Sequence, residues 1–151
     1  MQQLIKPCMK RTLFIILLLS FKSYSQDFTG KWNVISYEDE IAYYNKIADS
    51  ISYKIPARKA EAERFKQMSE LIIFSVTYSF EKDGKYVENH PALGEVINGS
   101  FEVDKTNKTI IMTDDEGKKD SLKYNYVNGI LFLEMEMEIG YIKLGLTKVG
   151  N

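Results

Sequence analysis

Residues 121–149 read SLKYNYVNGILFLEMEMEIGYIKLGLTKV, and this stretch decides the fold. Its period is two, which places successive side chains on opposite faces of a strand. Leu122, Tyr124 and Tyr126 share one face of a strand over 121–127. Asn128-Gly129 follows, a strong two-residue hairpin signal because both types tolerate the positive φ that such turns need. Leu131, Leu133, Met135, Met137 and Ile139 then oppose Phe132, Glu134, Glu136 and Glu138. Gly140 turns the chain into a last strand, 141–149, whose inner face is Ile142, Leu144 and Leu146. A row of three unpaired buried carboxylates would be too costly, so Glu134, Glu136 and Glu138 are read as the outward face.

Working back toward the N-terminus, the same alternation recurs. Phe74, Val76, Tyr78 and Phe80 alternate with Ser75, Thr77 and Ser79. Asp83-Gly84 is a hairpin turn, and 85–88 is the return strand. A loop beginning at His90-Pro91 runs to about residue 98. Strands are expected over 99–104 and 109–113, separated by a polar turn at 105–108, with a charged loop at 114–119. The first strand covers 30–37, with Trp32 and Val34 on one face and Ile35 and Tyr37 on the other. Between it and Phe74 the period changes. Ile41, Tyr44, Ile47, Ile51 and Ile55 recur every three or four residues, with Asp39 as a helix N-cap and Glu40 at the positive end of the dipole. Pro56 interrupts, and Ala57, Ala60, Phe65, Met68 and Leu71 resume the stripe. The reading is two helices, or one kinked at Pro56, spanning about 39–73.

Eight strands joined mostly by tight turns make an antiparallel meander. Closing it into a barrel removes the exposed edges, and eight strands leave an interior wide enough for one small ligand. The expected fold is therefore all-β: an eight-stranded up-and-down barrel with a helical insertion between its first and second strands.

The first 25 residues carry a different message. Lys6, Lys10 and Arg11 form a basic region ahead of the apolar run 13–19, and Ser23 and Ser25 supply small residues for cleavage before Gln26. That run is too short to span a bilayer, which takes about 20 residues. Residues 1–25 are expected to be a signal peptide and 26–151 a single barrel domain, exported to the periplasm or secreted. Met1 and Met9 are equally good starts. The single cysteine, Cys8, lies before the apolar run rather than at a lipoprotein cleavage point. The mature chain then has no thiol for disulfides or for cysteine-ligated zinc. It keeps 16 basic against 21 acidic side chains, a net charge of −5, because residues 1–25 hold four of the 20 basic residues and none of the acidic ones. An acidic surface without a basic stripe argues against nucleic acid and against attraction to anionic lipid. No membrane insertion is expected after processing.

Several motifs resemble a known family. Gly30-Lys31-Trp32 resembles the Gly-x-Trp signature of lipocalins. Phe80-Glu81-Lys82-Asp83-Gly84-Lys85-Tyr86 resembles the hairpin of bacterial lipocalin-like domains, many of them small exported proteins of Bacteroidetes, and Leu146-Thr147-Lys148-Val149 resembles their shared ending. The resemblance spans the mature chain in order. The Thr-Asp-Tyr element of animal lipocalins is missing, its place taken by Asn128-Gly129, and their arginine near the end of the last strand is Lys148 here. The resemblance implies that Lys148 lies over Trp32 at the barrel base as a cation–π substitute, worth about 0.5–1 kcal/mol. It also implies that the connection after the first strand lies at the open mouth.

The residue chemistry points to binding rather than catalysis. His90, the sole histidine, is read as a surface loop residue. Asp114, Asp115 and Glu116 lack a calcium-loop ladder and are read as a solvated turn. No catalytic, metal or cofactor site is expected, and no enzyme. The inward alternation of Tyr78, Phe80, Tyr86, Phe101, Tyr124, Tyr126, Met135 and Met137 suits the lining of a calyx with hydroxyls to orient a guest, and equally the plain filling of a small barrel. Ile41, Tyr44, Ile47, Ile51, Phe65 and Met68 are expected to form a lid over the mouth, the alternative being a helical pair on the outer wall. The expected function is an exported binding protein for a small hydrophobic or amphipathic molecule. The alternative is a protein–protein or inhibitor module of the cell envelope that uses the insertion as its contact surface.

Overall fold

The structure is a computed structural model that describes residues 27–150. The expected signal segment and its cleavage point lie outside the described residues. Ten strands form one antiparallel sheet: β1 (Gly30–Glu38), β2 (Ala42–Asn45), β3 (Ser50–Tyr53), β4 (Thr77–Phe80), β5 (Lys85–His90), β6 (Glu95–Asp104), β7 (Thr109–Asp114), β8 (Lys119–Val127), β9 (Ile130–Glu136) and β10 (Tyr141–Lys148). A 3-10 turn, Pro56–Arg58, leads into the helix α1, Lys59–Ile72. β4 to β10 pair in sequence order, and β10 closes back onto β1, so eight strands make a complete barrel. Closure leaves none of these eight as an open edge.

Antiparallel pairing gives the barrel two distinct ends. The base holds the start of β1, the end of β10, and the turns at 81–84, 105–108 and 128–129. The turn at Asn128-Gly129 has φ of 52° and 81°, the left-handed pair a tight hairpin needs. The mouth holds the insertion after β1 and the connections at 91–94, 115–118 and 137–140. Near the base the core is tight: Trp32, Phe80, Ile110, Leu131 and Leu146 are sealed from solvent. Trp32 Nε1 donates to the Phe28 carbonyl at 2.9 Å, so its one polar atom is satisfied. Lys148 pairs with Trp32 in register and holds its ammonium 5.8 Å from the indole, the arrangement that the lipocalin resemblance implied.

The insertion departs from the sequence reading. Residues 42–53, expected to be helical, form the β2–β3 hairpin, which pairs with the upper part of β1 through Ser36↔Asn45, Tyr37↔Tyr44 and Glu38↔Tyr43. The apolar spacing suited a helix, but Tyr43, Tyr44, Ile51 and Tyr53 are aromatic or β-branched, and β1 offers a free ladder above the point where β4 leaves it. Asp39 does not cap a helix. Its Oδ1 instead accepts from the amides of Ile41 (2.7 Å) and Ala42 (2.9 Å), closing the β1–β2 turn. Only 59–72 is α-helical, so the helix enters after the hairpin.

A β-bulge corrects the faces of β1. Val34 pairs with Leu146 but Ser36 pairs with Gly145, leaving Ile35 as an extra residue. The bulge carbonyl of Ile35 accepts from the Lys46 amide at 2.9 Å. After the bulge the parity flips, so Tyr37 faces inward beside Leu144 instead of sharing the outer face with Ile35. The Glu134 row points outward as expected, with Glu134 and Glu136 paired to Lys143 and Lys123 on neighbouring strands.

Candidate functional site

Directly opposed residues on neighbouring strands share a face. Phe80 opposes Tyr86, and both are buried inside the barrel. One step toward the mouth, Tyr78 opposes Glu88, and Glu88 opposes Ile97 on β6. His90 lies two residues further along β5 on the same inner face. β5 runs to His90 and β6 begins at Glu95, so the expected loop over 90–98 is mostly ladder. His90 is therefore a strand residue with a partner, not a loop residue at the surface.

These three side chains form one hydrogen-bonded set. Tyr78 donates its hydroxyl to Glu88 Oε1 at 3.1 Å, and His90 Nε2 lies 2.7 Å from the same oxygen. A half-buried carboxylate is costly unless bonded in this way. Burial, and then the nearby Glu88 charge, pushes the Tyr78 hydroxyl well above its ordinary range, so it remains a protonated donor. Tyr86 is 4% exposed. Burial first, then the fields of Glu88, Asp114, Asp120 and Asp115, raise its hydroxyl to about 12. That hydroxyl makes no hydrogen bond among the described residues, yet every fully sealed polar side-chain atom has a partner. The Tyr86 oxygen must therefore border open space. Gly99, opposite Tyr86 on β6, makes room for the ring, since a Cβ there would lie 2.6 Å from Tyr86 Cε1. An open depression of about 540 Å³ lies on this part of the wall, where Gly99 thins it, lined by Tyr86, Gly99 and Asp114 together with the outer-face residues Lys85, Val87, Asn98, Ser100 and Thr113.

Asp114 and Asp120 also belong to the inner face, because they oppose Gly99 and the buried Met112. Asp114 Oδ1 accepts from the amides of Glu116 (3.0 Å) and Lys118 (2.8 Å), which makes 114–118 the solvated turn the sequence suggested. Asp120 lies 3.5 Å from the Lys118 ammonium.

The insertion is anchored over the upper end of β1. The rings of Tyr37, Tyr44 and Phe65 meet at centroid distances of 5.2, 5.7 and 5.8 Å, joining β1, β2 and α1. Tyr44 donates to the Ala62 carbonyl at 3.0 Å, and Lys46 donates to the Phe74 carbonyl at 3.1 Å. Lys54 donates to Glu38 Oε1 (2.5 Å), to the Asp39 carbonyl (2.7 Å) and to Tyr141 (2.6 Å), tying the segment after β3 to both β1 and β10. Beside this tie a depression of about 310 Å³ is lined by Tyr37, Ile41, Arg58, Met137, Ile139 and Ile142.

The expected lining residues separate into groups. Tyr78, Phe80, Tyr86 and Phe101 make one continuous wall on β4, β5 and β6, with Phe101 edge-on to Phe80 at 4.9 Å. Tyr124 is buried against Phe28 at 4.9 Å. Tyr126 lies at the base, edge-on to Trp32 at 6.3 Å, away from the mouth. Met135 and Met137 are exposed at the end of β9 and in the turn beyond it. Of the expected lid, Tyr44 is buried and Ile41, Ile51 and Phe65 are packed against the core. Ile47 sits at the hairpin tip, 76% exposed, and Met68 is 49% exposed on α1. Sequence reading missed Glu88 and His90; the alternation Tyr86-x-Glu88-x-His90 is the signal that would have found them.

Among the described residues, no helix is long and apolar enough to cross a membrane, and no three His, Cys, Asp or Glu side chains are placed to hold a metal ion. The chain matches no protein-family model and no curated protein. Among solved structures it is similar to the crystal structure of a DUF4847 family protein from Bacteroides vulgatus, with a TM-score of 0.51 and 16% identity over 78% of this chain and 92% of that one. At that identity the likeness extends to the fold alone, a barrel that is lipocalin-like in its coarse architecture.

Proposed function

We propose that the protein is a non-enzymatic binding protein that holds a small apolar or amphipathic molecule inside its barrel. The observation that carries this reading is the Tyr78–Glu88–His90 set on an inner wall that is aromatic and aliphatic toward the base. Binding sites for small molecules combine an apolar lining with a few placed polar groups that fix orientation. A barrel that only needed filling would gain nothing from a half-buried carboxylate, which costs desolvation. The aromatic cluster of Tyr37, Tyr44 and Phe65 would cover the guest from the mouth side. We read the protein as exported, on the basic region, apolar run and Ser23/Ser25 pattern of residues 1–25.

The test is equilibrium binding of a neutral hydrophobic fluorophore, read by its blue shift and by quenching of Trp32. Saturable one-to-one binding that weakens when Phe101, on the inner wall, is changed to Asp supports the calyx. Binding that is unchanged by Phe101→Asp but lost on Leu71→Asp would move the guest to the helix. That outcome favours a second reading, a protein-contact surface on α1, for which the exposure of Met68 and Leu71 speaks.

A further inference from the structure

The inner wall near the mouth carries acidic side chains. Glu88 uses Oε1 for both Tyr78 and His90, and its second oxygen accepts no hydrogen bond among the described residues. The Tyr86 hydroxyl two residues away is likewise unpartnered, although the residue is 96% covered by protein. Neither oxygen is fully sealed, since every sealed polar side-chain atom among the described residues has a partner, so both are open to a guest that can donate to them. The surroundings favour a cation. Asp114 and Asp120 face inward on the adjoining strands, and Asp114 has already committed Oδ1 to its own turn. The basic side chains near these carboxylates are each paired: His90 is held by Glu88, Lys118 lies beside Asp120, and Lys85, which lines the depression beside Tyr86, pairs with Asp83. Lys148 is at the far end over Trp32.

We infer that the barrel takes an amphipathic amine, with its protonated amino head between Glu88 Oε2 and the Tyr86 hydroxyl and its apolar body among the inner-wall rings. This rests on the calyx reading and names the ligand class of that same site. An ammonium supplies the donors that Glu88 and Tyr86 lack, and it gains from the ring faces beside it. A carboxylate head would meet Glu88 with like charge, and an alcohol would satisfy one group without neutralising the other.

Calorimetric titration of the protein with decylammonium, decanol and decanoate at neutral pH separates these outcomes. Decylammonium is expected to bind about tenfold or more tightly than decanol, and decanoate most weakly, the ratio following from a charge-assisted hydrogen bond. Glu88→Gln is expected to collapse the ratio of decylammonium to decanol affinity toward one. Tyr86→Phe, which removes a single oxygen and leaves the ring packed on Gly99, is expected to lower that ratio severalfold and decides the matter if Glu88→Gln does not fold. Equal affinity for amine and alcohol, or tighter binding of decanoate, would overturn the amine inference while leaving the calyx reading in place. Failure of all three to bind would overturn both.

Discussion

The two ends of the barrel use the same pleated strands for opposite purposes. At the base, inward positions are large, apolar and sealed: Trp32, Phe80, Ile110, Leu131 and Leu146, with Phe28 beneath Tyr124. The indole nitrogen of Trp32 is bonded to a backbone carbonyl. Toward the mouth, the inward positions of the same strands become Tyr78, Glu88, His90, Asp114 and Asp120, and the rim carries exposed Met135, Met137 and Ile139. Close packing at one end sets the shape of the molecule, which frees the other end to carry groups that would weaken a core. Stability is therefore expected to reside at the base and chemistry at the mouth.

Substitutions that ignore this division show how sharp it is. The largest effect is expected from Trp32→Ala, a loss of about 3–5 kcal/mol in chemical denaturation, as for other large buried aromatics. A loss below about 1 kcal/mol would place the core elsewhere. Gly99→Ala comes next, at about 1–3 kcal/mol, because a Cβ would lie 2.1 Å from the Thr113 carbonyl oxygen and 2.6 Å from Tyr86 Cε1. It is also expected to displace the Tyr86 ring, which tyrosine fluorescence or NMR shifts would register.

Lys54→Met follows, with a loss of up to about 1 kcal/mol near neutral pH, since the tie is half-exposed. Its pH dependence has a definite sign. Burial pushes the Glu38 carboxyl up, but the hydrogen bonds from Lys54 and Tyr141 outweigh it and hold the group below its usual 4.5. Its contribution is thus present above pH 4.5 and lost as pH falls through the depressed value. For Lys54, burial pulls down while bonds to Glu38 and Tyr141 pull up more, so its pKa lies above the usual 10.5 and its contribution is lost only as pH rises past that. The gap between wild type and Lys54→Met should be flat between these limits and shrink on either side. The smallest effect is expected from Ile139→Ser, within about 0.5 kcal/mol, because the side chain is 89% exposed at the tip of the β9–β10 turn.

What was legible in the sequence follows the same division. The barrel strands announce themselves where inner and outer faces differ strongly, as in Leu131-x-Leu133 against Glu134-x-Glu136, and where a turn needs particular residues, as at Asn128-Gly129. The hairpin at 42–53 was hidden because Ile41, Tyr44, Ile47 and Ile51 fit a helical stripe, and only a vacant ladder on β1 decides otherwise. The bulge at Ile35 was hidden because a single extra residue has no signature in composition, yet it turns Tyr37 from outside to inside. Glu88 and His90 escaped for a different reason. A polar residue at an inward position looks like the end of a strand, so the alternation was cut short at the point where the barrel departs from the rule that interiors are apolar. Places where local rules fail in this way are where function tends to reside.

The seam between β1 and β10 sets the order in which the molecule can assemble. It joins Trp32 to Lys148 and Glu38 to Lys143, partners separated by more than a hundred positions. Every other neighbouring pair around the wall except β1–β4 is a local hairpin that needs only a short loop to close. Local hairpins form in microseconds, whereas joining distant segments carries a loop entropy that no early contact offsets. The curved sheet from β4 to β10 is thus expected to form as an open ribbon, with β1 fitted last between its two margins. Trp32 sits on that final strand, so its burial would report the closing step itself, and the lysine stacked on its ring would be among the last contacts to form.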